Sequence, residues 1–487
     1  MNIIGRQKEI SLFQKILSSK QAEFIAVYGR RRVGKTFLIH EFFSSHDIYL
    51  ECTGLKDGAL KDQLSNFINA FTQTFYPELP KGTSFTPPKS WQEAFNHLTF
   101  EFKKISPQKR IIIFFDELPW LASPKSELLQ NLDYFWNTQW SQMPNVKLIV
   151  CGSAASWMIN NLINAKGGLH NRTTRTMLLE PFNLSETKTY LLAKKIKAKN
   201  QDILNLYMAI GGIPYYLNHL DPAKSFSQNI NELCFKQDGL LYNEFSRLFH
   251  SLFTNPEFSI KLVKEVGSKL YGVSMADLLK KLEKKAGGRF QDRLNELEAA
   301  GFIKKFTPYG KKTRDHHYRL TDPYCLFYLT WIEEFVQRND IPLGADYWSR
   351  LSKSSKWNSW TGYAFENICH LHADKIIDAL NLSNIGCIVS RWRFTPPSKS
   401  AENGAEIDMI IDRDDGAITL CEIKYTSDPY VIEKSYARIL ANKMISFESH
   451  FKPNKQVFFT FITTNGLKKN IWSEDLVTHS IDLSAFF

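Results

Sequence analysis

The tightest constraint in this chain is one short segment, Gly29-Arg30-Arg31-Arg32-Val33-Gly34-Lys35-Thr36. It lies between an apolar run, Phe24–Tyr28, and a helix-patterned stretch that continues through Phe43. Glycines at both ends let the backbone wrap more closely than side-chain-bearing residues would allow. A helix starting right after the loop presents unpaired N–H groups and a partial positive charge, which favour an anion. The spacing fits GxxxxGK[ST], a loop whose amides cradle phosphates. Lys35 is then expected to reach the β- and γ-phosphates and the Thr36 hydroxyl to ligate magnesium. We therefore expect ATP with Mg2+ at Gly29, Arg30, Arg31, Arg32, Val33, Gly34, Lys35 and Thr36. The three arginine side chains either assist the phosphates or point to solvent.

A second apolar run, Ile111–Phe115, ends in Asp116 and Glu117. A buried strand with two carboxylates at its tip delivers negative charge to the sheet edge where ligands of parallel sheets bind. Asp116 is expected to hold the magnesium ion, and Glu117 to orient and deprotonate the attacking water. The adjacent pair predicts hydrolysis, whereas an aspartate alone would suit binding.

With 487 residues the chain exceeds a single core, so several domains are expected. No run approaches eighteen apolar residues, and the start, MNIIGRQKEI, lacks the apolar stretch of a signal peptide. A cytoplasmic protein without membrane contact is the expectation. The seven cysteines include no closely spaced pair, which predicts buried free thiols. His370 and His372 stand two apart, and no metal site is expected there. The net charge is +11 and unevenly spread: residues 257–319 hold fifteen Lys/Arg against eight Asp/Glu, while residues 346–487 hold sixteen against seventeen. A surplus concentrated in one module suits either an anionic partner, nucleic acid first, or a solvated basic face.

Strands are expected at Phe24–Tyr28, Ile48–Cys52, Arg110–Asp116, Lys147–Cys151 and Thr176–Glu180, with helices starting near Lys35, Leu60, Trp91 and Glu127. That alternation predicts a mostly parallel sheet covered by helices. From about Asn183 the pattern turns helical, with Ser185 the expected N-cap, and the turn Gly211-Gly212-Ile213-Pro214 interrupts it. Residues 257–330 read as short helices followed by a hairpin, from Phe302–Phe306 through Pro308-Tyr309-Gly310 to His317–Leu320, the outline of a winged helix. Beyond 345 a helix at Tyr363–Leu380 precedes strands near Cys387–Phe394, Glu406–Ile411, Ile418–Tyr425 and Gln456–Ile462, and Pro396–Gly404 is a loop. The Asp414-Asp415-Gly416 turn should fold two of those strands into a hairpin. Asp408 would then lie close to Glu422, with Lys424 on the same strand face as Glu422. Two carboxylates suit a hard divalent ion and a lysine steadies developing negative charge; Glu366, on the preceding helix, would complete the set.

The glutamate directly after the aspartate, with room for an additional strand between the two motifs, resembles the additional-strand branch of P-loop ATPases that contains AAA+ and STAND proteins. Ser153, at the end of Leu148–Ser153, matches the polar residue that senses the γ-phosphate in relatives. Ile4-Gly5-Arg6 with Glu9 resembles the box that packs near adenine in this group. Arg172 and Arg175 are either transition-state arginines or solvated loop residues. The wider order of IGRQKEI, GRRRVGKT, FFDE, VCGSAAS, GGIPYYL, RLNELEAAGFIKKF, YRLTDPYCLFY and EID…CEIK resembles a family of largely archaeal-type ATPases with a winged helix and a C-terminal nuclease-like domain.

That resemblance implies an α/β chain: an ATPase core with a parallel sheet at 1–182, a helical lid at 183–255, a winged helix at 256–345 and a PD-(D/E)XK nuclease-like domain at 346–487. Arg289–Ala300 would be the recognition helix, with Lys311, Lys312 and Arg314 in the wing, contacting DNA. Glu366, Asp408, Glu422 and Lys424 map onto the nuclease core, although Ile407 stands where a proline usually precedes the aspartate. The expected function is an ATP-binding and ATP-hydrolysing enzyme, DNA-associated, whose C-terminal domain would cleave DNA with magnesium. The alternative is a signalling or scaffold ATPase whose C-terminal domain binds partners or DNA without cleavage, with nucleotide-dependent assembly into a homo-oligomer.

Overall fold

The computed structural model describes residues 3–80, 82–164, 172–284, 287–337, 347–396, 403–451 and 454–487. The chain divides into two compact units, residues 1–181 with 213–215, and residues 182–212 with 216–487. The expected winged helix and nuclease-like module fall within the second, as does the expected lid apart from residues 213–215, which belong to the first. Of the loop expected at Pro396–Gly404, positions 397–402 lie outside the described residues.

The first unit is built on five parallel strands: β1 Glu23–Tyr28, β2 Ile48–Thr53, β3 Ile111–Asp116, β4 Val146–Gly152 and β5 Arg175–Leu178, in the order β2-β3-β4-β1-β5. Every residue of β3 is buried, because a parallel sheet carries its crossover helices on its faces. The gap between the two motifs in sequence is occupied by β2, yet β2 lies at the sheet edge beside β3. The strand that separates β1 from β3 in space is β4. Parallel neighbours are joined by long crossovers, so chain order does not dictate sheet order. The core on one side is aromatic: Phe95 packs edge-on to Trp140 at 5.2 Å and to Phe135 at 5.7 Å. The Trp140 indole N–H is satisfied by Thr99 Oγ1 at 2.8 Å, as burial of a tryptophan requires.

The second unit opens with helices at Leu184–Ala193, Asn200–Ile210, Phe226–Phe235 and Glu244–Leu252. Asn183, not Ser185, caps the first of these. Its Oδ1 accepts from the Glu186 amide at 2.8 Å while Glu186 Oε2 accepts from the Asn183 amide at 3.1 Å, a reciprocal capping box. Ser185 sits inside the helix and donates to the Phe487 carbonyl at 2.9 Å. The helices Pro256–Gly267, Met275–Lys281 and Gly288–Ala299 follow, interleaved with β6 Val273–Ser274, β7 Ile303–Phe306 and β8 His317–Leu320. These strands form an antiparallel sheet in the order β6-β8-β7.

After a tryptophan cluster in which Trp331, Trp348, Trp357 and Trp360 pack on one another, the chain forms a mixed sheet. Its strands are β9 Cys387–Phe394, β10 Ala405–Arg413, β11 Ala417–Lys424, β12 Gln456–Thr463 and β13 His479–Ile481, ordered β13-β12-β11-β10-β9. β9, β10 and β11 pair antiparallel in succession, and β12 runs parallel to both β11 and β13. Where one helix was expected at Tyr363–Leu380 there are two, Ser355–Leu371 and Ala373–Ala379, divided at His372. The helix Lys434–Phe451, which closes one face of this sheet, was not anticipated. The loop joining β7 to β8 is fastened to β9: the Tyr309 amide donates to the Arg391 carbonyl at 2.7 Å and the Ser390 hydroxyl to the Thr307 carbonyl at 2.8 Å. No helix among the described residues is long and apolar enough to cross a membrane, and all seven cysteines are free thiols.

Gly212 accepts from the Phe182 amide at 2.7 Å, and a β-carbon there would lie 1.9 Å from the Phe182 carbonyl oxygen. Gly212→Ala is expected to destabilise the second unit by about 1–3 kcal/mol, the usual cost of overpacking, read as a lowered Tm in thermal unfolding of the full chain.

Candidate functional site

Four chain segments meet at the C-terminal end of the parallel sheet. The loop after β1 passes so close to the chain following β5 that a β-carbon on Gly29 would sit 2.4 Å from the Leu179 carbonyl oxygen, and its φ of +146° suits glycine alone. Arg32 takes a left-handed conformation, φ 72°, and its guanidinium lies over the Tyr215 ring at 4.5 Å. The turn expected to belong to the lid thus sends Tyr215 to the phosphate loop. Arg30 is buried and Arg31 and Val33 follow in the same loop.

Lys35 opens the helix Lys35–Phe43 and is only 5% exposed. Its Nζ donates to the carbonyls of Gly29 and Arg30 and to Ser153 Oγ, each at 3.0 Å. Ser153 in turn holds Glu117: its amide donates to Oε2 at 3.0 Å and its hydroxyl to Oε1 at 2.5 Å. Sequence reasoning gave Ser153 a phosphate-sensing part; the structure places it as the link between Lys35 and Glu117. Glu117 adopts a left-handed backbone, φ 48°, which lets the chain turn off β3 and leaves the carboxylate facing β4.

Thr36 Oγ1 donates to Asp116 Oδ2 at 2.9 Å. The other oxygen, Oδ1, is buried with no hydrogen-bond partner. Burial first, and the neighbouring Glu117 second, raise the Asp116 pKa, while the Thr36 hydroxyl and the Cys151 thiol work the other way. A buried carboxylate with a bare oxygen beside a hydroxyl is the donor set that a hard divalent cation requires, so Thr36 and Asp116 fit a magnesium ion.

Arg6 was expected only near a base. It is buried, and its Nη2 donates to the Val33 carbonyl at 3.0 Å while Nη1 donates to the Glu180 carbonyl at 2.7 Å. The N-terminal box therefore clamps the phosphate loop to the chain after β5. Arg175 starts β5 with an exposed side chain, and Arg172 is exposed in the preceding loop.

In the second unit a register shift between Ile407 and Ile410 on the β9 side re-aims Asp408, as bulges do. The β10–β11 pairing runs Met409↔Cys421, so Asp408 falls opposite Glu422. Asp408 Oδ2 accepts from the Ile423 amide at 2.8 Å. Glu422, fully buried, accepts from Tyr436 Oη at 2.5 Å, Lys443 Nζ at 2.7 Å and Lys424 Nζ at 2.9 Å. Tyr436 and Lys443 come from the unanticipated helix; without it in the sequence reading, neither had a reason to be chosen. Burial raises Asp408 to about 7, with the Glu422 charge adding to the effect. Burial also works against the Glu422 charge, but Lys424 and Lys443 outweigh it and hold the pKa below the ordinary carboxylate value.

Glu366 pairs with Arg391, whose Nε donates to His370 Nε2 at 2.9 Å. Among the described residues no group of three His, Cys, Asp or Glu side chains could hold a metal. Glu366, Asp408 and Glu422 thus do not form the three-carboxylate set expected from the sequence. Both oxygens of Glu422 are engaged by cations and a phenol, and no step is derived through a metal there.

The first unit has the parallel α/β sheet typical of a P-loop ATPase core, with the phosphate loop at the C-terminal end of its strands. Residues 3–220 match the family described as an ATPase domain predominantly from Archaea. The chain is 24% identical over 430 residues to an uncharacterized protein of Methanocaldococcus jannaschii, covering 87% of each. It is 24% identical over 293 residues to an uncharacterized ATP-binding protein of the same organism, covering 52% of this chain and 79% of that one. Among solved structures it resembles the Walker-type ATPase of Pyrococcus abyssi with a TM-score of 0.48 and 18% identity, covering 67% of this chain and 96% of that one.

Ser153→Ala removes the hydroxyl shared by Lys35 and Glu117. It is expected to lower the rate of ATP turnover by about tenfold to a thousandfold, in the range for loss of a positioned polar group, with nucleotide affinity changing far less, read by steady-state turnover and equilibrium titration. For Asp408, a raised folded-state pKa means the folded chain holds its proton to higher pH than the unfolded chain. Its contribution to stability is full below about 4, the unfolded value, and is lost as pH rises through about 7. Asp408→Asn should therefore gain Tm relative to the parent as pH is raised from 4 to 8 in metal-free buffer.

Proposed function

We propose that this protein binds ATP with magnesium at Gly29–Thr36, hydrolyses it with Glu117 as the base, and uses the cycle to control a DNA-associated second unit. The observation that carries the hydrolysis reading is the Lys35–Ser153–Glu117 chain of hydrogen bonds, which ties the phosphate-binding cation to the base. Magnesium, held by Thr36 and Asp116, would supply charge neutralisation at the triphosphate. Lys35 would turn its donors from the loop carbonyls and Ser153 to phosphate oxygens. Glu117, fixed by two donors from Ser153, would accept the proton of the attacking water. Arg32, seated on Tyr215, would carry the state of the phosphate loop to the Gly-Ile-Pro turn.

The DNA-associated reading is supported by the second unit. Its helix–strand–helix–helix–strand–strand order at 256–320 suits a winged helix, and the order at 355–463, two helices, three strands, a helix and a strand, suits a nuclease-like core. Charge tempers which surface would meet DNA. Lys264, Lys269, Lys281 and Arg293 of the basic stretch are each paired with a carboxylate. Helix Gly288–Ala299 itself carries Arg289 and Arg293 against Asp292, Glu296 and Glu298. Lys311, Lys312 and Arg314, exposed on the β7–β8 loop, would be the better phosphate contacts. A cleft of about 800 Å³ lined by Arg393, Glu406, Asn442, Lys443 and His450 adjoins the partner of Glu422.

A second reading, a C-terminal module that binds DNA or a partner without cutting, is favoured by the two lysines and the tyrosine that saturate Glu422. The test combines both ends of the chain. Lys35→Ala should lose nucleotide binding and Glu117→Gln should retain it with hydrolysis reduced at least a hundredfold. Incubation with plasmid DNA, magnesium and ATP then separates the readings: nicking abolished by Glu422→Gln supports a nuclease, and intact DNA bound equally by both proteins supports the non-cutting module. Hydrolysis undiminished in Glu117→Gln sinks the ATPase assignment.

A further inference from the structure

Between the small antiparallel sheet and the mixed sheet of the second unit lies a cluster of donors that lacks acceptors. Arg319, on β8, is only 5% exposed, and its Nε and Nη1 are buried with no hydrogen-bond partner. The Tyr271 hydroxyl, preceding β6, is buried and equally without a partner. The two side chains share one aromatic neighbour: the Arg319 guanidinium lies 6.0 Å from the Phe306 ring centre, and the Phe306 and Tyr271 rings are 6.2 Å apart. Across the Tyr271 ring stand Arg391, at 6.0 Å, and Arg393, at 5.6 Å.

The charges do not balance. Arg391 is compensated by Glu366 and Arg393 by Glu406. His370 is of no help as a counter-charge, since burial and Arg319 keep it neutral, and its Nε2 already accepts from Arg391. No carboxylate is paired with Arg319 among the described residues. Burial, and Arg391 after it, pull the Arg319 pKa down to about 9, with only Tyr363 acting to restore it. Buried guanidinium groups are retained when they are paired and hydrogen-bonded, and an unpaired one costs several kcal/mol. A forked donor and a phenol on one shared aromatic neighbour, both without a hydrogen-bond partner, are complementary to a tetrahedral oxyanion.

We propose that Arg319 and Tyr271, with Arg391 adding positive charge nearby, form a binding site for a phosphate group, distinct from the ATP site. On the helix Ser355–Leu371, Tyr363, whose charge acts on both Arg319 and Arg391, is part-exposed, and the Glu366 side chain is 18% exposed. The phosphate comes either as a free anion or as one phosphodiester of a nucleic-acid backbone, the chemistry being the same. This goes beyond the ATPase reading and does not depend on it.

The test uses the full chain carrying Lys35→Ala, so that the phosphate loop does not contribute, and two probes: inorganic phosphate, followed by thermal unfolding, and a short duplex with 5′-hydroxyl ends, followed by fluorescence anisotropy. In the Arg319 protein at least one probe should bind, and Arg319→Met should weaken it by about tenfold or more, the loss expected of a charge-assisted pair. Tyr271→Phe removes a single oxygen and should weaken the same probe to a smaller degree. It carries the test if Arg319→Met fails to fold. A response to phosphate that both substitutions weaken identifies a free-anion site; a response confined to the duplex identifies the backbone as the source. If both variants bind each probe as the parent does, or if the parent binds neither, the proposal is wrong.

Discussion

A buried ammonium group organises the first unit. Lys35 Nζ has three acceptors, two of them carbonyls of the loop that precedes it and the third a hydroxyl from another strand. The lysine is thereby tied at once to its own loop and, through Ser153, to Glu117 at the tip of β3. Because β4 lies between β1 and β3, the strand that carries Ser153 is the one positioned to join the two motifs. The same sheet order sets Thr36 against Asp116. Burial makes each of these groups expensive unless partnered, which is why the pairing of the two motifs is also a condition for the fold.

Rigidity is supplied from outside the loop. Arg6 holds the Val33 carbonyl and the carbonyl of Glu180, so the phosphate loop cannot open without breaking a buried charged contact. Gly29 passes within van der Waals limits of Leu179, an approach that any side chain would prevent. Arg32 also stacks on Tyr215, the last residue of the segment 213–215 that returns to this unit from the lid sequence.

The second unit handles buried charge differently. Instead of a cation folded onto carbonyls, it sets acids against bases: Glu422 between Lys424 and Lys443, Glu366 on Arg391, with Asp408 kept close to neutrality by burial. The β7–β8 loop, Arg391 and Tyr309 join the small sheet to the mixed one, and Tyr309 rests on Phe447 and Phe451. Basic residues on this loop are therefore presented from a fixed support.

The sequence alone determined the phosphate loop, the acidic strand tip, the five strands of the parallel sheet, four of the five strands of the mixed sheet (β13 excepted) and the hairpin that sets Asp408 opposite Glu422. Those features are local: a helix start, an apolar run or an Asp-Gly turn is encoded by neighbours along the chain. Even the one mistaken cap was legible, since Asn183 with Glu186 is a complete box. What only the tertiary structure decided was partnership. That β4 rather than β2 separates the motifs, that Ser153 joins Lys35 to Glu117, that Glu366 goes to Arg391, and that Tyr436 and Lys443 reach Glu422 all depend on contacts between distant segments. The charge count of residues 257–319 shows the same limit, because Glu333, outside that stretch, neutralises Lys264 within it. Periodicity states which face of an element is apolar, but the electrostatic partner of a buried charge is chosen by whichever element packs against it.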